Sequence, residues 1–126
     1  MQRKMKMMSE IKESLELLVN SLHEKYSSLE LSMWLKGQHD EILHIRMIKF
    51  GEADRGKGYG TVVMSAICEF ADIFGLIVSL SPIKDKGVRY KNRLIKFYKR
   101  FGFKMNKGRN KDFRTMDLMI RIPKES

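Results

Sequence analysis

Cysteine is nearly missing from this chain. Cys68 is the only one in 126 residues, so no disulfide framework can staple the fold. Three histidines are too few, with one cysteine, for a closed Cys/His zinc site. Two prolines exclude collagen-like and Pro-rich repeat classes. No apolar run approaches the roughly 18–20 residues of a membrane-spanning helix. The basic, Met-rich start from Met1 to Met8 has no apolar stretch behind it that would make a signal peptide. The default expectation is a soluble cytoplasmic protein with no metal site. What is present is ordinary globular material, 43% hydrophobic and 32% charged. That suffices for one core and leaves no room for a second.

Charge is unevenly placed. From Lys84 to Arg114, 13 Lys/Arg stand against Asp85 and Asp112, a net +11, while the rest of the chain carries −1. One region of the surface should therefore attract anions. A solvated basic face, a nucleotide cofactor, a nucleic acid and an acidic protein all satisfy that charge, and composition does not choose among them.

The apolar pattern gives an order of elements. Met1–Met8 reads as a flexible basic tail, and residues 9–126 as a single domain. Ser9 is a good N-cap, and Ile11, Leu15, Leu18, Val19 and Leu22 follow helical spacing to about Lys25. Leu29, Leu31, Met33 and Leu35 alternate as in a strand. A second strand is predicted from Glu41 to Phe50. Leu43, Ile45 and Met47 should meet the core, and His44 and Arg46 lie on a mixed, cleft-like face. After a glycine-rich loop, a helix carries Val62, Val63, Ala66, Ile67, Phe70, Ala71 and Phe74, with Gly75 as its stop. Cys68 in that helix reads as a packing residue. Leu76–Leu80 suggests an interior strand, Ser81–Lys91 a loop, and Arg93–Phe101 a helix that Asn92 can cap. A strand starts at Phe103, and Met116–Ile122 alternate along a last one. Together these elements suggest a mixed α/β sheet covered by helices.

The loop from Gly51 to Thr61 is the strongest local signal. It joins a strand to a helix, and the first amides of a helix lack intrahelical partners, so the helix start is an anion site. Gly58 and Gly60 have no Cβ, which lets a phosphate approach the backbone, and Arg55 and Lys57 add charge. The pattern is neither the P-loop, which needs Lys-Ser/Thr at its end, nor the dinucleotide fingerprint, whose glycine spacing differs.

Arg55-x-x-Gly58-x-Gly60 resembles the R/Q-x-x-G-x-G/A signature of the GNAT N-acetyltransferase superfamily. Leu94-Ile95-Lys96-Phe97-Tyr98-Lys99-Arg100-Phe101-Gly102-Phe103 is similar to that family's later helix-to-strand block. The two blocks stand in the family's order and cover about half the chain. The resemblance implies an α/β fold with a mixed, mostly antiparallel sheet flanked by helices, shortened at the N-terminus. It implies acetyl-CoA as cosubstrate, with no metal. Residues Arg55, Gly56, Lys57, Gly58, Tyr59, Gly60 and Thr61 would hold the diphosphate. Ile48, Lys49 and Phe50 would pair with the pantetheine arm. The ring of Tyr59 is expected to pack. Asn92 lies one residue after the family's usual CoA-contacting Asn.

Tyr98 matches the tyrosine that in the family protonates the departing thiolate. His44 lies on the strand where some members carry a glutamate base, with Glu41 or a water chain as rivals. The implied reaction is direct attack by a primary amine in a ternary complex. The chain's shortness implies an open acceptor site, suited to a protein side chain or chain end such as a lysine or N-terminus, and the basic stretch is compatible with an acceptor protein that is acidic or associated with nucleic acid. A homodimer is compatible with the resemblance. The alternative is a non-catalytic nucleic-acid-binding or regulatory module using the basic 84–114 stretch.

Overall fold

The fold comes from a computed structural model, which describes residues 2–82 and 88–124. Lys84, Asp85 and Lys86 of the basic stretch, and residues 83–87 of the loop expected at Ser81–Lys91, lie outside the described residues. Helix α1 (Gln2–Lys25) is followed by strands β1 (Glu30–Lys36) and β2 (Ile42–Lys49), helix α2 (Tyr59–Phe74) and strand β3 (Ile77–Leu80). Helix α3 (Val88–Lys99) and strands β4 (Lys104–Met105) and β5 (Met119–Arg121) complete the fold. The five strands form one mixed sheet in the order β1-β2-β3-β5-β4. Among the described residues, only β2 and β3 run parallel, and the other three pairings are antiparallel.

Alternation along the strands assigns the two faces. Leu43 and Ile45 of β2, Val78 and Leu80 of β3 and Met119 of β5 join Val63, Met64 and Ile67 of α2 in the buried core. The register places Leu43 beside Val78 and Ile45 beside Leu80, so these side chains share the α2 face. His44 and Ser79 pair on the opposite face.

The middle of β2 is irregular. Against β1 the register passes from Ser32↔Met47 to Met33↔Ile45, which leaves Arg46 as the extra residue of a β-bulge. Bulges bend a strand and increase its local twist. The last rung between β2 and β3 is Ile45↔Leu80, although β2 continues to Lys49. The two parallel strands thus part at the bulge, and the sheet opens there.

Several expected boundaries move. Helix α1 begins at Gln2 rather than Ser9, so Ser9 is no cap and residues 2–8 are helical rather than a tail. Gln, Arg, Lys and Met are good helix formers, and the helix propagates back through them. Helix α3 starts at Val88, so Asn92 is an interior helical residue and not its cap. The last strand is only Met119–Arg121. Met116, expected on its buried side, is 92% exposed. A buried Asn106 holds the preceding loop instead. Its side-chain amide donates to the carbonyls of Asp112, Thr115 and Asp117, and its oxygen accepts from the Asp112 amide at 2.7 Å. Local hydrogen bonds of this kind compete with a ladder, and here they win.

Candidate functional site

The glycine-rich loop is stapled at its base. Ser28 Oγ donates to Asp54 Oδ2 at 2.6 Å and accepts from the Gly51 amide at 3.2 Å. Arg55 Nε donates to the Phe50 carbonyl at 3.0 Å, and Lys57 Nζ lies 3.3 Å from Asp54 Oδ1. Gly56 and Gly58 have φ of 80° and 79°, a left-handed conformation that side chains disfavour. Gly58 is the N-cap of α2 and has no side-chain cap bond. The first α2 bond runs from the Val62 amide to the Gly58 carbonyl. Among the described residues, none of the six amides from Gly56 to Thr61 has a hydrogen-bond acceptor. The loop therefore presents a set of oriented, unpaired donors at the positive end of a helix.

Those donors stand at one end of a groove of about 580 Å³. Its walls include the β2 segment Met47–Phe50, the loop residues Arg55, Gly56, Gly58 and Gly60, and Leu94, Phe97 and Tyr98 of α3. Tyr59 packs with Tyr26 and Phe50, ring centroids 4.9 and 5.8 Å apart, as expected from sequence. Beyond Ile45 the edge of β2 that faces β3 has no strand partner among the described residues, so its backbone groups border the groove.

Tyr98 lies where the groove meets a small recess lined by Arg46, Leu80, Ser81 and Pro82. Burial pushes its phenol up to about 12, and Tyr90 adds to the rise. The hydroxyl therefore keeps its proton across the whole physiological range.

Asn92 does not belong to this groove. It sits on the outer side of α3 with Arg89, Arg93 and Lys96, along a shallow basic depression. A helical residue two positions before Leu94 is turned about 200° away from it, which is why the two face different surfaces. Thr61 is exposed and is not among the residues lining the groove. Glu41, the rival base, pairs with Arg114 at 3.6 Å and accepts from the His39 amide at 2.8 Å.

His44 is held on the opposite sheet face by a residue that sequence reasoning does not single out. Its Nδ1 lies 2.7 Å from Asp117 Oδ2. Lys36 Nζ and Thr115 Oγ1 donate to the same oxygen at 3.2 and 3.0 Å, and Ser81 Oγ donates to Oδ1 at 3.1 Å. Desolvation alone would raise the Asp117 carboxyl, but bonds from Ser79, Lys36 and His44 outweigh it and pull it down to about 2. In the sequence Asp117 falls between Met116 and Leu118 and reads as the solvent side of a strand. No local signal marks it.

The depressed Asp117 gives a pH prediction. Its folded value lies below its ordinary value of 3.8, so its contribution is present above about pH 4 and lost as pH falls through about 2. The shift corresponds to about 2 kcal/mol. Denaturant midpoints of wild type and Asp117→Asn should differ near neutral pH and converge toward pH 2. A difference that stays constant over that range would contradict the assignment.

No family model matches the chain, and no curated protein matches it. Among solved structures it is similar to a Bacteroides thetaiotaomicron protein assigned as an acetyltransferase of the GNAT family, with 22% identity and a TM-score of 0.48. That match covers 77% of this chain and 56% of the other, so this chain spans little more than half its length. It is also similar to Ard1 from Thermoplasma volcanium, with 18% identity and a TM-score of 0.47, over 85% of this chain and 78% of that one.

Proposed function

We propose that this protein is an acetyl-CoA-dependent N-acetyltransferase of the GNAT type, moving an acetyl group to a primary amine on a protein. The observation that carries the reading is the row of amides from Gly56 to Thr61 that have no acceptor among the described residues, with Gly56, Gly58, Tyr59 and Gly60 lining the groove that Tyr98 also lines. The residues suit the cosubstrate. A diphosphate needs several oriented donors and no side chain in its way, and Gly56, Gly58 and Gly60 meet both needs. A peptide-like arm needs a free strand edge, and beyond Ile45 the β3-facing edge of β2 has no strand partner among the described residues. The volume falls within the about 300–1,000 Å³ of small-molecule sites.

Bound acetyl-CoA would supply an activated acetyl thioester. The protein's task is then to hold, orient and stabilise. The loop amides, with Arg55 and Lys57, fix the diphosphate end. The main chain of Ile48, Lys49 and Phe50 sets the direction of the arm toward the opening in the sheet. Tyr98 presents a protonated phenol to the negative charge that develops on the leaving sulfur.

Gly60 offers a direct test. A Cβ there would stand 3.7 Å from Phe97 Cζ, an ordinary contact, so Gly60→Ala should fold normally. A larger side chain must enter the groove. Gly60→Trp is expected to weaken acetyl-CoA binding by about tenfold or more, since it removes about 1.4 kcal/mol or more of contact, as measured by calorimetry. No binding by wild type at millimolar acetyl-CoA would sink the proposal.

A second reading rests on the exposed row Arg89, Arg93 and Lys96 with Asn92 on α3. That row favours a polyanion bound independently of the groove. Steeply salt-dependent binding of DNA or RNA with no binding of acetyl-CoA would favour it.

A further inference from the structure

Asp117 organises the sheet face opposite α2. An ionised carboxylate has no hydrogen to give, so the proton between Asp117 Oδ2 and His44 Nδ1 belongs to the ring. Ser79 Oγ, 3.5 Å from Nδ1, does not take that proton. The bond to Asp117 thus fixes the neutral ring as the Nδ1–H tautomer and puts the lone pair on Nε2. No described group hydrogen-bonds Nε2, and no buried side-chain nitrogen or oxygen among the described residues is without a partner. The side chain as a whole is 15% exposed. Asp117, before β5, is the charged group bonded to the ring, Lys36 on β1 donates to the same carboxylate oxygen, and the Trp34 ring lies 4.8 Å from the imidazole.

This cluster lies at the opening in the sheet. His44 is on the rung before the last one between β2 and β3, so the strands part about 3.3 Å further along. Ser81 lines the recess beside Tyr98 and donates to Asp117 Oδ1. Groove and cluster thus approach the same gap from opposite faces. On the His44 side the rim includes Trp34, which is 43% exposed.

We propose that Asp117 is the positioning residue that presents His44 Nε2 as proton acceptor for the incoming amine, which enters from the face opposite α2. This rests on the acetyl-transfer reading above. The amine lone pair forms the new C–N bond to the acetyl carbon, and the C–S bond breaks. The displaced N–H proton passes to His44 Nε2, and the sulfur leaves as thiolate, hydrogen-bonded by Tyr98. The imidazolium returns its proton to water after release.

Two measurements test the assignment. Long-range proton–nitrogen NMR of the histidine-labelled full chain reads the tautomer without any turnover. The Nδ1–H form is expected for His44, giving way to a mixture in Asp117→Ala. A wild-type Nε2–H form overturns the proposal even should the variant not fold. In steady-state kinetics with a peptide amine, His44→Ala and Asp117→Ala should each lower kcat by about 10²-fold, and the double variant should lose no more than either alone. Losses that multiply to about 10⁴-fold would mean that Asp117 does not act through His44. Acetyl transfer that survives His44→Ala overturns this proposal alone, whereas a wild type that acetylates no amine overturns the acetyltransferase reading itself.

Discussion

Tyr98→Phe is expected to lower kcat by about 10- to 100-fold while acetyl-CoA affinity stays within about twofold. The size follows from the acidity of the phenol. Burial pushes it up to about 12, whereas a free thiol titrates near 8.5. A complete proton transfer from such a phenol to a thiolate is uphill by several units. On the proposed reading Tyr98 acts by hydrogen-bonding the developing charge, and a hydrogen bond to a charged group contributes about 1.5–3 kcal/mol. The aromatic ring itself remains in the variant, so packing on Phe97 and Phe103, with centroids at 5.3 and 5.6 Å, is preserved and binding should hardly change. The pH profile separates the two roles. A hydrogen-bond donor that stays protonated leaves wild type and variant with parallel kcat–pH curves up to about pH 11. A basic limb between pH 8 and 10 that vanishes in Tyr98→Phe would show full acid catalysis and refute the argument. Equal turnover in the two proteins would remove Tyr98 from the reaction.

The two halves of the candidate site differ in how far the sequence reveals them. The loop around Gly58 is local. Its glycines, its strand before and its helix after lie within one short stretch, so the helix start at Tyr59 can be read from order and spacing. Tyr98 is likewise set by the apolar stripe of α3. The His44 cluster is not local. Lys36, His44, Ser79 and Asp117 come from three strands and a loop, and only the register of the sheet brings them together. Sequence periodicity says which side of a strand a residue takes but not which distant residue meets it. The bulge at Arg46 is hidden for a similar reason. The alternation through β2 reads as regular, and the extra residue shows only against β1. Asn92 misleads because a good capping residue suggests a helix start, although the chain upstream remains helical from Val88. Good caps are also tolerated inside helices when tertiary packing favours continuation.

Asp72→Ala is expected to destabilise the fold by about 3–5 kcal/mol, and Arg121→Met by clearly less. The pair joins β5 to the end of α2 with two parallel bonds, Nη1–Oδ1 at 2.8 Å and Nη2–Oδ2 at 3.0 Å. Arg121 Nε also donates to the Phe101 carbonyl at 2.7 Å, just where α3 has ended. One guanidinium thus ties together the sheet, α2 and the turn that sets α3 against the groove. The asymmetry comes from exposure. The Arg121 side chain is 4% exposed and that of Asp72 is 26% exposed. Removing Asp72 strands a charge that water cannot reach, and a buried charge without its partner costs about 3–5 kcal/mol. Removing Arg121 leaves a carboxylate that water can solvate, which still accepts from the Lys124 amide at 2.8 Å. Methionine fills most of the space and buries no charge, so the loss reduces to the Phe101 carbonyl and imperfect packing, about 1–3 kcal/mol. Urea unfolding of both variants gives the comparison. A larger loss for Arg121→Met than for Asp72→Ala would show that the guanidinium stabilises through its packing and its bond to Phe101, and that its charge is solvated by other means.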